Sequence, residues 1–312
     1  MGRHRYQNLD PRHVPQAFGN VFRWAVWDRL TGRRQIAPPG PGAPGAAPDL
    51  EDLTRPTGSN RLLWLGHAGF LGNLGGACFA VDPVLSQRIG GVYRRHCPIP
   101  LRPGDLPKLT ALLISHNHYD HLDAATVLAL PRDVPICVPL DLGAWFRRRG
   151  FRTVTELDWW QTVTVEPLRI TLVPARHWSR RTPWDTNLSL WGGFVVEAVG
   201  RSIYHAGDTA LFETFEEIGR RFPDLDAALL PIGAYAPPWF MDSNHMNPEQ
   251  AGEAFLTLGA RRLVPMHWGA YQLTDEPVCE PIQRLETWFR SRPELPADRL
   301  VRLAVGQSLE LR

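Results

Sequence analysis

The segment "LLISHNHYDHLD" (residues 112–123) places three histidines and two aspartates within eight residues, directly after an apolar run. His116 and His118, two positions apart after a predicted strand, point in the same direction and can bind one ion. Asp120 and His121 lie on the following turn and can reach a second ion. Imidazole and carboxylate ligands without a thiolate suit zinc in a catalytic site, with manganese or iron as alternatives.

Three further potential ligands stand at the ends of later predicted strands. His177 follows "RITLVPA" (residues 169–175), and His267 follows "RRLVPM" (residues 261–266). Asp208 lies at the end of "SIYHAGD" (residues 202–208), the second strand of a predicted hairpin. His177 can complete the ligand set of the first ion, His267 can complete that of the second, and Asp208 can bridge both. The sequence therefore predicts a two-metal site of five histidines and two aspartates.

The rest of the chain predicts the surroundings of this site. From Arg61 onward, short apolar strands alternate with polar loops and helices, which indicates an α/β or α+β domain of stacked layers. We divide the chain into an N-terminal basic and aromatic arm (residues 1–36), a Pro/Gly-rich linker (37–60) and the metal-binding domain (61–312). The stretch "APPGPGAPGAAP" (residues 37–48) cannot build a packed element and predicts an extended linker.

The arm contains "AFGNVFRWAVWDRLTGRR" (residues 17–34), in which apolar residues recur at helical spacing between arginines. Two interpretations are open. The helix docks on the body of the protein or on a second copy in a homodimer, or it lies in a lipid interface. We favour the first interpretation.

Composition limits the possible partners and the compartment. The chain has 34 Lys+Arg against 32 Asp+Glu, a formal charge of +2, which argues against nucleic acid as a partner. Four scattered cysteines indicate a reducing compartment. The N-terminus lacks the apolar core of a signal peptide, and the sequence has no apolar run long enough for a membrane span. We therefore expect a cytoplasmic protein.

Several blocks extend the histidine motif into a family pattern: "WLGHAGF", "DPVLSQR", "ELDWW", "AGDTALF" and "HWG". Together they resemble the N-acylphosphatidylethanolamine-hydrolysing phospholipase D family of the metallo-β-lactamase superfamily, over roughly residues 61–290. The resemblance implies a four-layer αββα sandwich with two zinc ions at one edge. It implies that one zinc is held by His116, His118 and His177, the other by Asp120, His121 and His267, with Asp208 shared.

The resemblance also implies the reaction. A hydroxide bridging the two metals would attack phosphorus in an N-acylphosphatidylethanolamine-like glycerophospholipid and release a phosphatidic acid and an N-acylethanolamine. Such a substrate predicts peripheral contact with the inner face of the membrane. Alternatives on the same fold are hydrolysis of another ester or a lactone, a nuclease, an oxygen-handling iron protein and a non-catalytic carrier. The near-neutral charge disfavours the nuclease.

The resemblance and the neighbouring residues give further candidates. Asp120 and His245 are the catalytic candidates, and His245 is also expected to contact the phosphate or the leaving group. His67 and Asp82 stand at strand ends and are expected to orient metal ligands. Arg180 and Arg181 either meet anionic headgroups or are solvated loop charges. Candidate contacts for the lipid come from the loop around "PPWFM" (residues 237–241) and comprise Tyr235, Trp239, Phe240 and Met241.

Overall fold

The computed structural model of the chain describes residues 4–10, 16–38, 40–54 and 60–311. Residues 1–3 and 11–15 of the predicted arm, and residues 39 and 55–59 of the predicted linker, lie outside these ranges. Within them, two β-sheets face each other and helices cover both outer faces. The predicted four-layer αββα sandwich is confirmed.

The described part of the chain forms fifteen strands. They are β1 (Arg61–Gly66), β2 (Gly69–Leu74), β3 (Ala77–Val81), β4 (Arg88–Ile89), β5 (Tyr93–Arg94), β6 (Ala111–Leu113), β7 (Ile136–Pro139), β8 (Val154–Leu157), β9 (Thr162–Val165), β10 (Leu168–Val173), β11 (Gly193–Ala198), β12 (Arg201–His205), β13 (Ala227–Pro231), β14 (Leu263–Met266) and β15 (Ser308–Glu310).

Strand direction decides where the loops meet. The first sheet has the order β15-β1-β2-β3-β6-β7-β8, and the second has the order β14-β13-β12-β11-β10-β9. Antiparallel pairing of β2 with both β1 and β3, and parallel pairing of β3 with β6, give β1, β3 and β6 one direction. The same reasoning gives β10, β12, β13 and β14 a common direction. Loops after these strands therefore emerge at one edge of each sheet.

In the described ranges, three helices precede β1, and the others lie between strands. The helices are α1 (Phe18–Phe22), which continues through a π-helical turn (Arg23–Trp27) into α2 (Asp28–Leu30), α3 (Leu50–Thr54), α4 (Ala124–Leu128), α5 (Gly143–Arg147), α6 (Thr214–Arg221), α7 (Pro238–Met241), α8 (Pro248–Leu258) and α9 (Glu280–Arg290). Two of them have side-chain caps at their N-termini: Asp123 accepts from the backbone of Ala125, and Asn247 forms a capping box with Gln250. Gly259 ends α8 in the left-handed conformation.

The core follows from the alternation of side chains along the strands. On β1, Leu62 and Trp64 join the large cluster between the sheets, whereas Leu63 and Leu65 join the cluster on the outer face of the first sheet. That outer cluster is covered by residues of α3, α4 and α5, and the large cluster extends to α6, α8 and α9. Burial on both faces holds the strands in register, so the ligand-bearing loops have a fixed base.

The central part of the Pro/Gly-rich stretch has no regular secondary structure of its own, but it packs against the body of the protein. Ala43 is buried, and its backbone N–H donates to the carbonyl of Gly269 at 2.8 Å. Gly45 forms a parallel bridge with Val305, and α3 buries Leu53 against the first sheet. An extended chain has free backbone groups, and here the body of the protein supplies their partners.

The helix of the arm docks on the body beside α7. The indole of Trp24 stacks on Phe240, with 4.9 Å between ring centroids, and its Nε1 donates to Asp275. Arg34 forms an ion pair of 2.7 Å with the same Asp275. The opposite side of the helix leaves its apolar side chains exposed. Among the described residues, none of the helices has the length and apolar character needed to cross a bilayer.

Candidate metal centre

Each predicted metal ligand follows the carboxyl end of a strand at the shared edge. The segment from His116 to His121 follows β6, His177 follows β10, Asp208 follows β12 and His267 follows β14. Asp208 is reached through Gly207, whose φ of +61° and close approach to the carbonyl of Gly192 leave no room for a side chain. The structure brings all seven predicted ligands together.

The first ligand set consists of three histidines. The Nε2 atom of His116 lies 2.9 Å from Nδ1 of His118, and Nε2 of His177 lies 3.2 Å from the same Nδ1. Ligand atoms around a tetrahedral zinc with bonds of about 2.0–2.1 Å are separated by roughly 3.3 Å. The spacing of these three ring nitrogens therefore fits a single cation between them.

The second set joins carboxylates to histidines. Oδ2 of Asp208 lies 3.1 Å from Nε2 of His121 and 3.2 Å from Nε2 of His267. Oδ2 of Asp120 lies 3.4 Å from Nε2 of His267. The same Oδ2 of Asp208 is 3.9 Å from Nε2 of His177, a member of the first set. Asp208 therefore faces both sets, through one oxygen rather than through one oxygen for each.

Hydrogen bonds fix which nitrogen of three histidines carries the proton. His121 donates from Nδ1 to Asp82 at 2.7 Å, and His177 donates from Nδ1 to the carbonyl of Asn244 at 3.0 Å. His116 Nδ1 is 2.9 Å from the hydroxyl of Ser115, which itself donates to Asp82. With Nδ1 held as a donor, the Nε2 atom of each ring faces the cluster and binds a metal once it carries no proton. Asp82 therefore orients His121 directly and His116 through the hydroxyl of Ser115.

The pKa values of the histidines differ between the two ligand sets. Burial opposes a charge on His121 and on His267, yet neighbouring carboxylates, led by Asp208, raise the pKa of His121 well above its usual value and that of His267 to about 9. By contrast, burial lowers the pKa of His118 to about 4, so its imidazole is neutral at pH 7. The carboxylates of Asp120 and Asp208 therefore attract positive charge to the second ligand set, whereas the three-histidine set offers neutral nitrogen donors.

The residues fit a metal centre on these grounds. Buried polar atoms are normally hydrogen-bonded, yet Nε2 of His121, Nε2 of His267 and Oδ1 of Asp208 have no hydrogen-bond partner among the described residues. All three are atoms that a cation can bind. The groups able to hold a metal are His116, His118 and His177 in one set, and His67, Asp120, His121 and His267 in the other, with Asp208 close to both.

His67 and His245 both lie next to the cluster, close to the ring of His267. Nε2 of His67 is 3.0 Å from Oδ2 of Asp120, a position from which it orients that carboxylate and from which it is also close enough to be a ligand itself. Nδ1 of His245 is 4.0 Å from Oδ2 of Asp208, and its side chain keeps 13% exposure. His245 therefore lies next to the cluster and is partly exposed to solvent.

The predicted lipid contacts need a correction. Tyr235 is buried and donates from its hydroxyl to Glu280 at 2.6 Å. Phe240 and Met241 are buried as well, because Pro238 begins a short helix, α7, and the arm helix covers it. These three side chains therefore offer no exposed surface for an acyl chain. Trp239 is 44% exposed and remains available.

The sequence did not predict that Arg181 holds the loops of the site together. Arg181 is partly buried, and its guanidinium donates to the backbone carbonyls of Asn117 and Leu122, at 3.1 and 2.8 Å. It therefore ties the loop of His177 to the histidine motif, and it is neither a headgroup contact nor a solvated charge. Arg180 is exposed and lies over the ring of Trp178. The position of Ser115, directly before the motif, was an available signal that we did not use.

Comparison with known proteins agrees with this geometry. A family model described as beta-lactamase superfamily domain matches residues 79–268. The chain belongs to the metallo-β-lactamase superfamily. It is therefore a metal-dependent hydrolase of that fold, with its His/Asp cluster as the candidate metal site.

Individual relatives narrow the comparison. The chain is 36% identical, over 265 residues, to N-acyl-phosphatidylethanolamine-hydrolyzing phospholipase D 1 of Caenorhabditis elegans, covering 79% of this chain and 74% of the relative. It is 37% identical to an uncharacterized protein of Mycobacterium tuberculosis, covering 90% and 77%. A solved metallo hydrolase from Ignicoccus hospitalis has the same fold, with a TM-score of 0.63, 23% identity and coverage of 82% and 99%.

Proposed function

We propose that this chain is a two-zinc phosphodiesterase of phospholipase D type that acts on N-acylphosphatidylethanolamine-like glycerophospholipids. Its products are then a phosphatidic acid and an N-acylethanolamine. One observation carries the proposal: a donor set with room for two cations lies in a chain 36% identical to a worm enzyme named for this reaction. The ligands alone are compatible with other esters.

The case for two cations rests on the arrangement around Asp208. The three-histidine set and the set containing Asp120, His121 and His267 each have enough donors for one ion, and Asp208 faces both. Two bound divalent cations acidify water and neutralise the charge that builds on phosphoryl oxygens during an in-line displacement. Asp120 and Asp208 keep the net charge of such a centre low, and burial shields it from bulk water.

His245 supplies a group outside the two ligand sets. It lies 4.0 Å from Asp208 and packs edge-on against His177, with 5.1 Å between ring centroids. Its Nδ1 has no hydrogen-bond partner among the described residues. In the proposed reaction His245 binds a phosphoryl oxygen or the leaving oxygen through a ring N–H, so that it orients the bond to be cleaved.

A comparison of three substrates tests the reaction class. We expect hydrolysis of an N-acylated phosphatidylethanolamine, detected as phosphatidic acid and N-acylethanolamine by mass spectrometry. We also expect slower cleavage of bis(p-nitrophenyl) phosphate, which offers the same bond without the lipid, because remote binding energy is lost. Hydrolysis of a lactone without hydrolysis of either phosphodiester would reject the proposal in favour of a carboxylic ester.

A lipid substrate requires contact with a bilayer, and the arm helix offers a surface for it. We call this surface the aromatic face; it consists of the exposed side chains Phe22, Val26, Trp27 and Leu30. Trp239 of α7 lies beside it, under the guanidinium of Arg23 at 4.5 Å. Arg29 and Arg33 are exposed next to it. Apolar side chains bordered by arginines match an interface with anionic headgroups, so we propose that the aromatic face contacts the bilayer.

Vesicle binding tests this surface. The double variant Trp27→Ser, Leu30→Ser should bind vesicles containing anionic lipid at least about tenfold more weakly, since burial of one large apolar side chain contributes about 1.5–3 kcal/mol. Val199→Ser is the matched control, because Val199 is also exposed but lies in the β11–β12 turn, at the end of β12 opposite Asp208. Unchanged vesicle binding together with loss of a dimer would instead show that the face joins two copies of the chain.

A further inference from the structure

The N-terminal segment of residues 4–10 lies against the loop that carries His177. The side-chain amide of Asn8 donates from Nδ2 to the backbone carbonyl of His177 at 2.9 Å. Its Oδ1 accepts from the backbone N–H of the same residue at 3.1 Å. Asn8 is buried, at 8% exposure. One side chain, 169 residues away in sequence, therefore satisfies both backbone groups of a metal ligand.

The His177 loop depends on such contacts. Between β10 and β11 the chain has no helix and no strand over residues 174–192, so hydrogen bonds with other segments are what hold this loop. Asn187 closes part of the loop by accepting from Ser179 at 3.1 Å. Tyr6 then pairs with Asn187, donating its N–H to the carbonyl of Asn187 at 2.8 Å and accepting from its side chain at 3.1 Å. The N-terminal segment thus binds the loop at two places.

The orientation of the imidazole needs two restraints. The ring is held through Nδ1 by the carbonyl of Asn244, which sets the proton and the rotation of the side chain. The backbone position of His177 is held by Asn8. Loss of either restraint would allow Nε2 to leave its place near His118 and Asp208.

We propose that Asn8 is a positioning residue for the metal ligand His177. Its two hydrogen bonds hold the backbone of His177 and so fix the third donor of the three-histidine set. The segment lies outside residues 79–268, which match the superfamily domain, so this support is added to the domain from the N-terminal part of the chain. This role of Asn8 affects the affinity for the metal and does not depend on which substrate the site binds.

The test measures metal binding of the full-length chain. Asn8→Ala, stripped and titrated with Zn²⁺ against a chromophoric chelator, should show about 10- to 100-fold weaker binding for one cation, the range known for residues that orient ligands. Binding of the other cation should stay within about twofold of the unchanged protein, because both hydrogen bonds described for Asn8 go to the backbone of His177, a member of the three-histidine set. Gln7→Ala is the matched control, since Gln7 is the exposed neighbour on the same segment.

The outcomes separate positioning from a general effect on folding. If Asn8 only stabilises the fold, Asn8→Ala lowers the melting temperature of the metal-free protein and leaves both zinc affinities unchanged, which would overturn the proposal. Equal weakening of both cations would overturn it as well. Should Asn8→Ala fail to fold, Asn8→Ser decides in its place, because a hydroxyl is too short to reach both backbone groups and the same selective loss is expected.

Discussion

Asp208→Asn is expected to lower kcat for bis(p-nitrophenyl) phosphate at least about 100-fold, since the change removes the negative charge shared by both ligand sets. Oδ2 of Asp208 lies 3.1 Å from His121, 3.2 Å from His267 and 3.9 Å from His177. An amide of the same shape binds cations much more weakly than a carboxylate does. The bound metal should therefore decrease along with turnover, and elemental analysis of the purified variant measures it.

Asp224→Asn serves as the control for Asp208→Asn. Asp224 is an exposed aspartate in the loop before β13, and its substitution removes one negative charge without touching the cluster. Both turnover and metal content should remain unchanged in this variant. Near-normal activity of Asp208→Asn with a full complement of metal would refute the shared role of Asp208.

Removal of the metal should abolish turnover and also destabilise the protein. Without a cation, water at the site returns to its ordinary pKa, so we expect activity below about one per cent, restored by two equivalents of zinc. Binding to the folded state alone adds stability of about 4 kcal/mol when free metal exceeds Kd about a thousandfold. The melting temperature should therefore fall after dialysis against a chelator and rise again on reloading.

Two results would contradict this expectation. Full turnover of the stripped protein would exclude a catalytic metal. A protein purified without added metal that contains about one iron, and recovers activity with iron but not with zinc, would favour oxygen chemistry on this fold. Metal analysis of the chelated and the reloaded protein, made on the same samples as the activity and melting measurements, distinguishes these cases.

The sequence alone was sufficient for the ligands and for much of the fold around them. The order of predicted strands placed His116, His177, Asp208 and His267 at strand ends, and parallel directions within each sheet bring such ends to one edge. Local chemistry also determined features that depend on neighbours in the chain, among them the capping box at Asn247 and the β11–β12 hairpin. These features could be predicted because a few adjacent residues decide them.

The tertiary structure decided how distant segments meet. Phe240 and Met241, expected at the surface, became buried when the arm helix packed on α7, and Ala43 became buried when an extended segment found partners in Gly269 and Val305. Asn8 has no pattern in the sequence that relates it to His177. Hydrogen bonds and packing between segments far apart in the chain depend on the folded positions of both partners. The sequence of either segment alone therefore does not predict the contact.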